Sequence, residues 1–420
     1  MPLILHAADI HLDSPLRGLE RYPGAPLGAL RGATRRALET MVDRALERKA
    51  DLVVIAGDLY DGDGDDYATA LFLNSQMDRL HQAKIPVCVI RGNHDAVSVL
   101  TRYLHCPPNV HILSADHAGT QFFEEIGVAV HGQSFASRAV TSNLAASYPK
   151  AVPGLFNLGV LHTSMDGRDG HEPYAPCSLD DLKGRGYQYW ALGHVHTPEV
   201  LCKDPLVVMP GNLQGRHARE CGERGCVWVH VTPGREPIHE SETLNVVRWE
   251  TVTVNVTGVG GLEEVLDLAD KALAVTAEQA GAELLAARIH LKGTTTAHGR
   301  LVSSQDRLTA ELRRAAGLIR GRPVWVEKVK LQTQAPSKPF LEDGPLGTLS
   351  EVISELRSRP EEFSSLVNQA IEDLRKKLPH ELSEGDLGPQ PGDPAWLSSL
   401  LDRAEARLEA GLLNAGEEVL

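Results

Sequence analysis

Long hydrophobic runs are missing from this 420-residue sequence; none approaches the roughly eighteen apolar residues of a membrane span. The opening stretch MPLILHAADIHLD has no basic segment, and its apolar run is too short for a secretory leader. Both absences lead to the expectation of a soluble, cytoplasmic chain with no membrane role. Cysteine is also scarce. Six residues, at 88, 106, 177, 202, 221 and 226, show no disulfide-framework spacing, which suits a reducing compartment. Cys221 and Cys226, with His217 upstream, offer half a zinc site, but a structural site needs four ligands and no second pair follows. Excess positive charge is lacking too. The formal net charge is −14, which at first argues against a polyanionic partner. That acidity is uneven: from residue 341 onward there are 17 acidic against 7 basic residues, a net of −10, which leaves −4 for everything before.

What the sequence does have is punctuation by short apolar runs. LILHAA, DLVVIA, PVCVIR, LGVLH and YWAL fall within the first 195 residues, each of strand length and several rich in Val and Ile. RGATRRALETMVDRALERKA and ATALFLNSQMDRLHQAK, between the first three runs, have amphipathic helical spacing. The alternation predicts an α/β layer architecture. A second alternation follows over about 247–332, where VRWETVTVNV, LLAARIHLKG and RPVWVEKVKL read as strands around two helices. From residue 346 the pattern is helical, interrupted by the spacer SEGDLGPQPGDP. Leu346, Leu349, Ile353 and Leu356 form one apolar stripe, and Phe363, Leu366, Ala370 and Leu374 a second.

Chemistry collects where the runs end. LILHAA leads into Asp9 and His11, DLVVIA into Asp58, PVCVIR into Asn93, LGVL into His162, and YWALG into His194 and His196. Ligands of α/β sheets bind at the carboxyl ends of strands, so these oxygen and imidazole donors are expected to meet at one edge. Residues i and i+2 of extended backbone share a side, which lets His194 and His196 aim at one point. Seven side chains suffice for two ions if one carboxylate bridges, and Asp58, beside Gly57, is the natural bridge. Nitrogen and oxygen donors without thiolate favour manganese, iron or zinc over magnesium.

DIH, GDLYD, GNHD, the lone His162 and GHVH resemble, in order, the five motifs of calcineurin-like metallophosphoesterases, over roughly residues 1 to 230. Within that superfamily the chain is similar to the SbcD-type DNA repair exonucleases, and YAPC, YWALGHVHTP and MPGNLQGRHARECGERG resemble their YhaO-like group. The resemblance implies an α/β fold: a two-layer β sandwich flanked by helices over 1–245, then a small α/β capping domain in DNA contact over 246–335. An acidic helical tail over 340–420 would bind a coiled-coil ATPase of the SbcC type. Asp9, His11, Asp58 and His196 would hold one ion, and Asp58, Asn93, His162 and His194 the other, with manganese as the metal. His94 resembles the family's non-ligand histidine that protonates the leaving oxygen, and Asp95 is expected to orient its imidazole. Archaeal and eukaryotic relatives commonly carry histidine where Asp61 stands, so that histidine's role does not transfer, and Asp61 is expected only to support its loop.

Blander readings apply elsewhere. His131 is expected to be structural and His171 solvated. Arg216 and His217 are open between contact with phosphate or DNA and a fold-stabilising ion pair. The arginines at 17, 21, 31, 35 and 36 are open between a cleft border and a solvated basic face. The leading expectation is a DNA-acting, manganese-dependent 3′-to-5′ exonuclease of DNA repair, with single-strand endonuclease activity alongside. Its alternatives are a phosphodiesterase for cyclic nucleotides or other small esters, and a non-catalytic scaffold. Homodimerisation is left open.

Overall fold

Alternation along the apolar runs assigns successive side chains to opposite faces of a strand. In the computed structural model, residues 1–16, 24–61, 67–97, 106–166, 173–319, 323–336, 345–375 and 393–417 are described. Arg17, Arg21, His171 and the spacer up to residue 392 lie outside them. Ile4, Leu52, Val54 and Ala56 point one way and Leu5, Ala7, Val53 and Ile55 the other. The first set meets Val128, Val130, Leu158, Val160 and Ala191 in an apolar layer between two sheets. The second set is covered by Leu38 and Met41 of helix Ala33–Glu47 and by Leu73, Met77 and Leu80 of helix Tyr67–Gln82. Each fully buried Leu, Val or Ile contributes about 1.5–3 kcal/mol, so this layering dominates the stability of the unit.

The twelve strands of the sandwich are β1 (Leu3–Ala7), β2 (Leu52–Ala56), β3 (Val87–Ile90), β4 (Val110–Ile112), β5 (Gly119–Phe123), β6 (Val128–Gly132), β7 (Phe156–His162), β8 (Tyr189–Gly193), β9 (Glu199–Lys203), β10 (Leu206–Met209), β11 (Gly225–His230) and β12 (Ile238–Thr243). One sheet runs β12-β11-β1-β2-β3-β4 and the other β5-β6-β7-β8-β10-β9. The pairs β1–β2, β2–β3, β6–β7 and β7–β8 are parallel. The chain is thus the two-layer sandwich flanked by helices that the sequence implied. The five apolar runs are split between the sheets, β1 to β3 in one and β7 and β8 in the other.

Two compact units are present: Met1–Glu250 with Ala277–Ala287 and Arg320–Glu327, and Thr251–Thr276 with Arg288–Ile319 and Lys328–Leu420. A third sheet has the order β13 (Val247–Asn255), β14 (Leu284–Thr294), β15 (Val324–Gln334). Helix Leu262–Ala280 buries Val265, Ala269 and Leu273, and helix Gln305–Ala316 buries Leu308, Leu312 and Ala316, each at four-residue spacing. Of the tail helices, Pro394–Glu417 packs on Pro345–Ser358, where Arg357 pairs with Asp402 at 2.6 Å and Glu405 at 2.8 Å. Ile353 is buried as its stripe requires, but in helix Pro360–Arg375 the inward residue is Val367, while Leu366 is 51% exposed. A shift of one residue turns a helix by about 100°, so Leu366 and Ala370 of the second stripe lie off the packed face while Phe363 is half-buried beside it. No helix among the described residues is long and apolar enough to cross a membrane.

Gly159 in β7 lies against the Trp190 ring, and a Cβ there would fall inside van der Waals contact of that indole. Gly159→Ala is expected to destabilise the protein by about 1–3 kcal/mol through overpacking, read as a lower urea midpoint. A variant as stable as the parent would contradict this packing.

Candidate metal centre

The loops after β1 and β2 are zipped together by backbone hydrogen bonds. Asp9 N–H donates to the Gly57 carbonyl at 3.0 Å, His11 N–H to Asp58 at 3.0 Å, and Leu12 N–H to Leu59 at 2.8 Å. The bends are sharp enough to force four donor residues into left-handed backbone: φ is 51° at Asp9, 45° at His11, 55° at Asp58 and 97° at His194. Such conformations cost non-glycine residues of order 1–3 kcal/mol each and concentrate at functional sites. Gly57, at φ 93°, is itself required, since a Cβ there would lie 2.5 Å from His162 Nδ1. Asp9 braces the other sheet by accepting the His194 N–H on both carboxylate oxygens, at 3.1 and 2.9 Å.

Donors from both sheets therefore converge. Asp9, His11 and His196 form one group able to hold a metal ion, Asp58, His162 and His194 a second, and His11, Asp58 and His94 a third, the ligand atoms of each group lying within 4.8 Å of one another. His11 Nε2 is 3.2 Å from His196 Nε2 and 3.8 Å from Asp58 Oδ2. His162 Nε2 is 3.4 Å from Asp58 Oδ2 and 2.9 Å from Asn93 Oδ1. All seven donors expected from the sequence are thus gathered.

The far nitrogens decide what these atoms offer. His11 Nδ1 faces Asp61 Oδ1 at 3.2 Å, His196 Nδ1 faces Glu220 Oε1 at 2.7 Å, and His162 Nδ1 faces the Ala56 carbonyl at 2.9 Å. Each of these acceptors takes an N–H, so in a neutral ring the lone pair sits on Nε2 and points inward. This is the arrangement in which metal-binding histidines are held. Two lone pairs facing each other across 3.2 Å need a proton or a cation between them. Divalent ions fit this donor set.

Charge tells the same story. Burial opposes ionisation of Asp58, but His162 and His11 outweigh it and hold the carboxyl below its usual range. Burial would depress His162, yet Asp58 lifts it to about 9.

His94 differs from its neighbours. Its ring is hydrogen-bonded through Nδ1 to Asp61 Oδ1 at 2.9 Å, which raises its pKa, and its side chain is 31% exposed. The carboxylate on this imidazole is therefore Asp61 where Asp95 was expected. Asp95 is buried and accepts the N–H groups of Tyr60 and Gly92, at 3.1 and 3.0 Å, which ties the second loop to the third. Burial, then Asp58, pushes its pKa up to about 6. Asp61 also accepts from the Ser14 hydroxyl and lies 3.3 Å from Arg216. Glu220, which the sequence reading passed over, is nearly as central: it takes His196 Nδ1, the Arg216 backbone N–H at 2.7 Å and Asn212 Nδ2 at 3.0 Å.

Arg216 lies 3.3 Å from both Asp61 and Glu220, and its side chain is only 14% exposed. His217 is 54% exposed, with Nε2 3.7 Å from Glu220. Arg35 pairs with Asp13 and Arg36 with Glu283. His131 is structural as expected, bonded to Thr120 and Asn157 and stacked on Tyr187.

Residues 2–198 match the model of the calcineurin-like phosphoesterase family, and residues 249–334 that of the middle domain of metallophosphoesterase YhaO. The chain is 38% identical over 257 residues to the uncharacterized metallophosphoesterase YhaO of Bacillus subtilis, a match covering 60% of this chain and 63% of that one. It is 24% identical over 212 residues to the DNA double-strand break repair protein Mre11 of Methanopyrus kandleri, covering 46% and 44%. The matched part thus spans 63% and 44% of the length of these curated relatives. A solved dimetal phosphatase from Danio rerio overlays with a TM-score of 0.37 at 11% identity, covering 57% of this chain and 98% of that one. The two-sheet fold and the order of the motifs along it agree with this match, in which residues 2–198 resemble the calcineurin-like phosphoesterases.

Proposed function

We propose that the chain is a two-metal phosphodiesterase acting on DNA, a manganese-dependent 3′-to-5′ exonuclease that also cuts single strands. The observation that carries the metal site is the convergence of three imidazole Nε2 atoms, each with its Nδ1 committed elsewhere, around Asp9 and Asp58. In this reading Asp9, His11, Asp58 and His196 hold one ion, and Asp58, Asn93, His162 and His194 the other. Bound there, divalent cations supply charge that polarises a phosphate ester and acidifies water. The oxygen- and nitrogen-only donor set favours manganese over magnesium.

His94 is the proton donor. Its hydrogen bond to Asp61 raises its pKa, so the imidazolium persists to higher pH than in a free histidine, and Nε2 is left to protonate a departing deoxyribose oxygen. Support for DNA as substrate comes from the likeness to Mre11, a protein named for double-strand break repair. Two divalent ions also outweigh the charges of Asp9 and Asp58, so the pocket attracts phosphate despite the chain's net acidity.

End-labelled duplex and single-stranded oligonucleotides, assayed with manganese beside bis-nitrophenyl phosphate and cyclic AMP, test the substrate. DNA affinity is expected to fall steeply with salt, with a logarithmic slope of about −0.9 per phosphate contact on duplex, and the small esters to respond weakly. Faster hydrolysis of cyclic AMP than of oligonucleotides at every salt concentration would favour a small-ester phosphodiesterase instead. Two variants test the roles. His94→Ala is expected to retain both metals and lose about 10²–10⁴ in turnover, whereas His196→Ala is expected to lose affinity for one ion. Elemental analysis decides, and a metal-free His94→Ala protein would sink the assignment.

A further inference from the structure

A cleft of about 960 Å³ opens at the end of the sandwich away from the metal donors. Lys49 lines it ahead of β2, Lys84 and Ile85 ahead of β3, Asn109 ahead of β4, and Phe122, Glu124 and Glu125 between β5 and β6. These are the amino ends of β2, β3, β4 and β6, whereas Asp58 and Asn93 stand past the carboxyl ends of β2 and β3. Its volume matches small-molecule sites, which run from about 300 to 1,000 Å³.

The lining carries chemistry that the fold does not use. Lys49 and Lys84 stand just past the helices that end at Glu47 and Gln82, and both are left-handed, with φ of 53° and 59°. At each, the next N–H closes the helix: Ala50 donates to the Ala45 carbonyl and Ile85 to that of Leu80, both at 2.9 Å. Glycine is the usual occupant of that position, because a side chain is strained there. Both lysines are exposed, and neither is paired with a carboxylate among the described residues. Phe122 is 47% exposed although its neighbour Phe123 belongs to the core between the sheets. Asn109 is only 9% exposed; its Nδ2 donates to the Ile85 carbonyl at 2.8 Å, while its buried Oδ1 has no donor.

We propose that this cleft binds a nucleoside monophosphate at a site separate from the metal centre. The two ammonium groups meet the phosphate, and the exposed Phe122 ring offers a face on which a base stacks. Asn109 Oδ1 accepts an N–H of the base, the donor that a buried acceptor requires. Glu124 and Glu125 accept from sugar hydroxyls, as acidic residues do in dinucleotide folds. Inorganic phosphate would leave the ring uncovered, and a nucleoside would leave the lysines unmatched. The inference stands without the reaction proposed above; where that reading holds, the ligand is of the class an exonuclease releases.

Isothermal titration of the full chain in EDTA, which keeps divalent ions out of the metal centre, tests the site with AMP, dAMP, adenosine and inorganic phosphate. The nucleotides are expected to saturate one site, and adenosine and phosphate each to bind at least about tenfold more weakly. Joint Lys49→Gly and Lys84→Gly substitution is expected to weaken AMP binding at least about tenfold. The same variant should melt no lower than the parent, since glycine relieves both left-handed positions. Absence of saturable nucleotide binding, or AMP binding unchanged in the glycine variant, overturns the proposal. So does adenosine or phosphate alone binding as tightly as AMP. If the glycine variant does not fold, undiminished AMP binding by Phe122→Ala overturns it.

Discussion

The centre depends on hydrogen bonds made on the outer side of its imidazoles. A neutral imidazole has one N–H, and in His11, His162 and His196 that hydrogen is directed to Asp61, the Ala56 carbonyl and Glu220. Once it is placed there, the remaining lone pair must point into the pocket, beside the carboxyl groups of Asp9 and Asp58. Inward lone pairs beside two buried carboxyl groups make the pocket favourable for a cation. Rigidity on the outer side is what aims the inner nitrogens at one point.

The sandwich supplies that rigidity by joining its sheets at the same place. His162, at the end of β7, bonds to the carbonyl of Ala56 at the end of β2, and Asp9, just past β1, holds the backbone of His194, just past β8. Parallel strands bring all of these carboxyl ends to one edge. The left-handed backbone at Asp9, His11, Asp58 and His194 is the local cost of aiming every side chain inward. Apolar burial between and outside the sheets offsets it, since about one fully buried aliphatic side chain matches the strain of one such residue.

Much of this was legible in the sequence because the signal repeats. Five apolar runs ending in Asp, Asn or His announce five strand ends, and the strand–helix alternation after residue 247 announces the third sheet. Less legible were β9 and β12, whose EVLCK and IHESET carry charge and sit at sheet edges, where polar side chains blunt unwanted pairing. Asp61 was underread because its partners Ser14 and Arg216 lie 47 and 155 residues away. Glu220 hid in an irregular loop, with its only sequence cue an arginine four positions earlier. The Asp95 expectation failed for a steric reason: neighbours on a tight turn face apart, so Asp95 braces Gly92 while His94 reaches across to Asp61. In helix Pro360–Arg375 Leu366 and Val367 are adjacent apolar residues, and periodicity alone did not say which one packs.

The most direct measurement is anomalous diffraction at the manganese edge from crystals of the full chain grown with the metal. The account predicts two peaks within a few ångströms of each other, sharing Asp58, one beside His11 and His196 and the other beside His162 and His194. A single peak, or peaks away from Asp58, would contradict it.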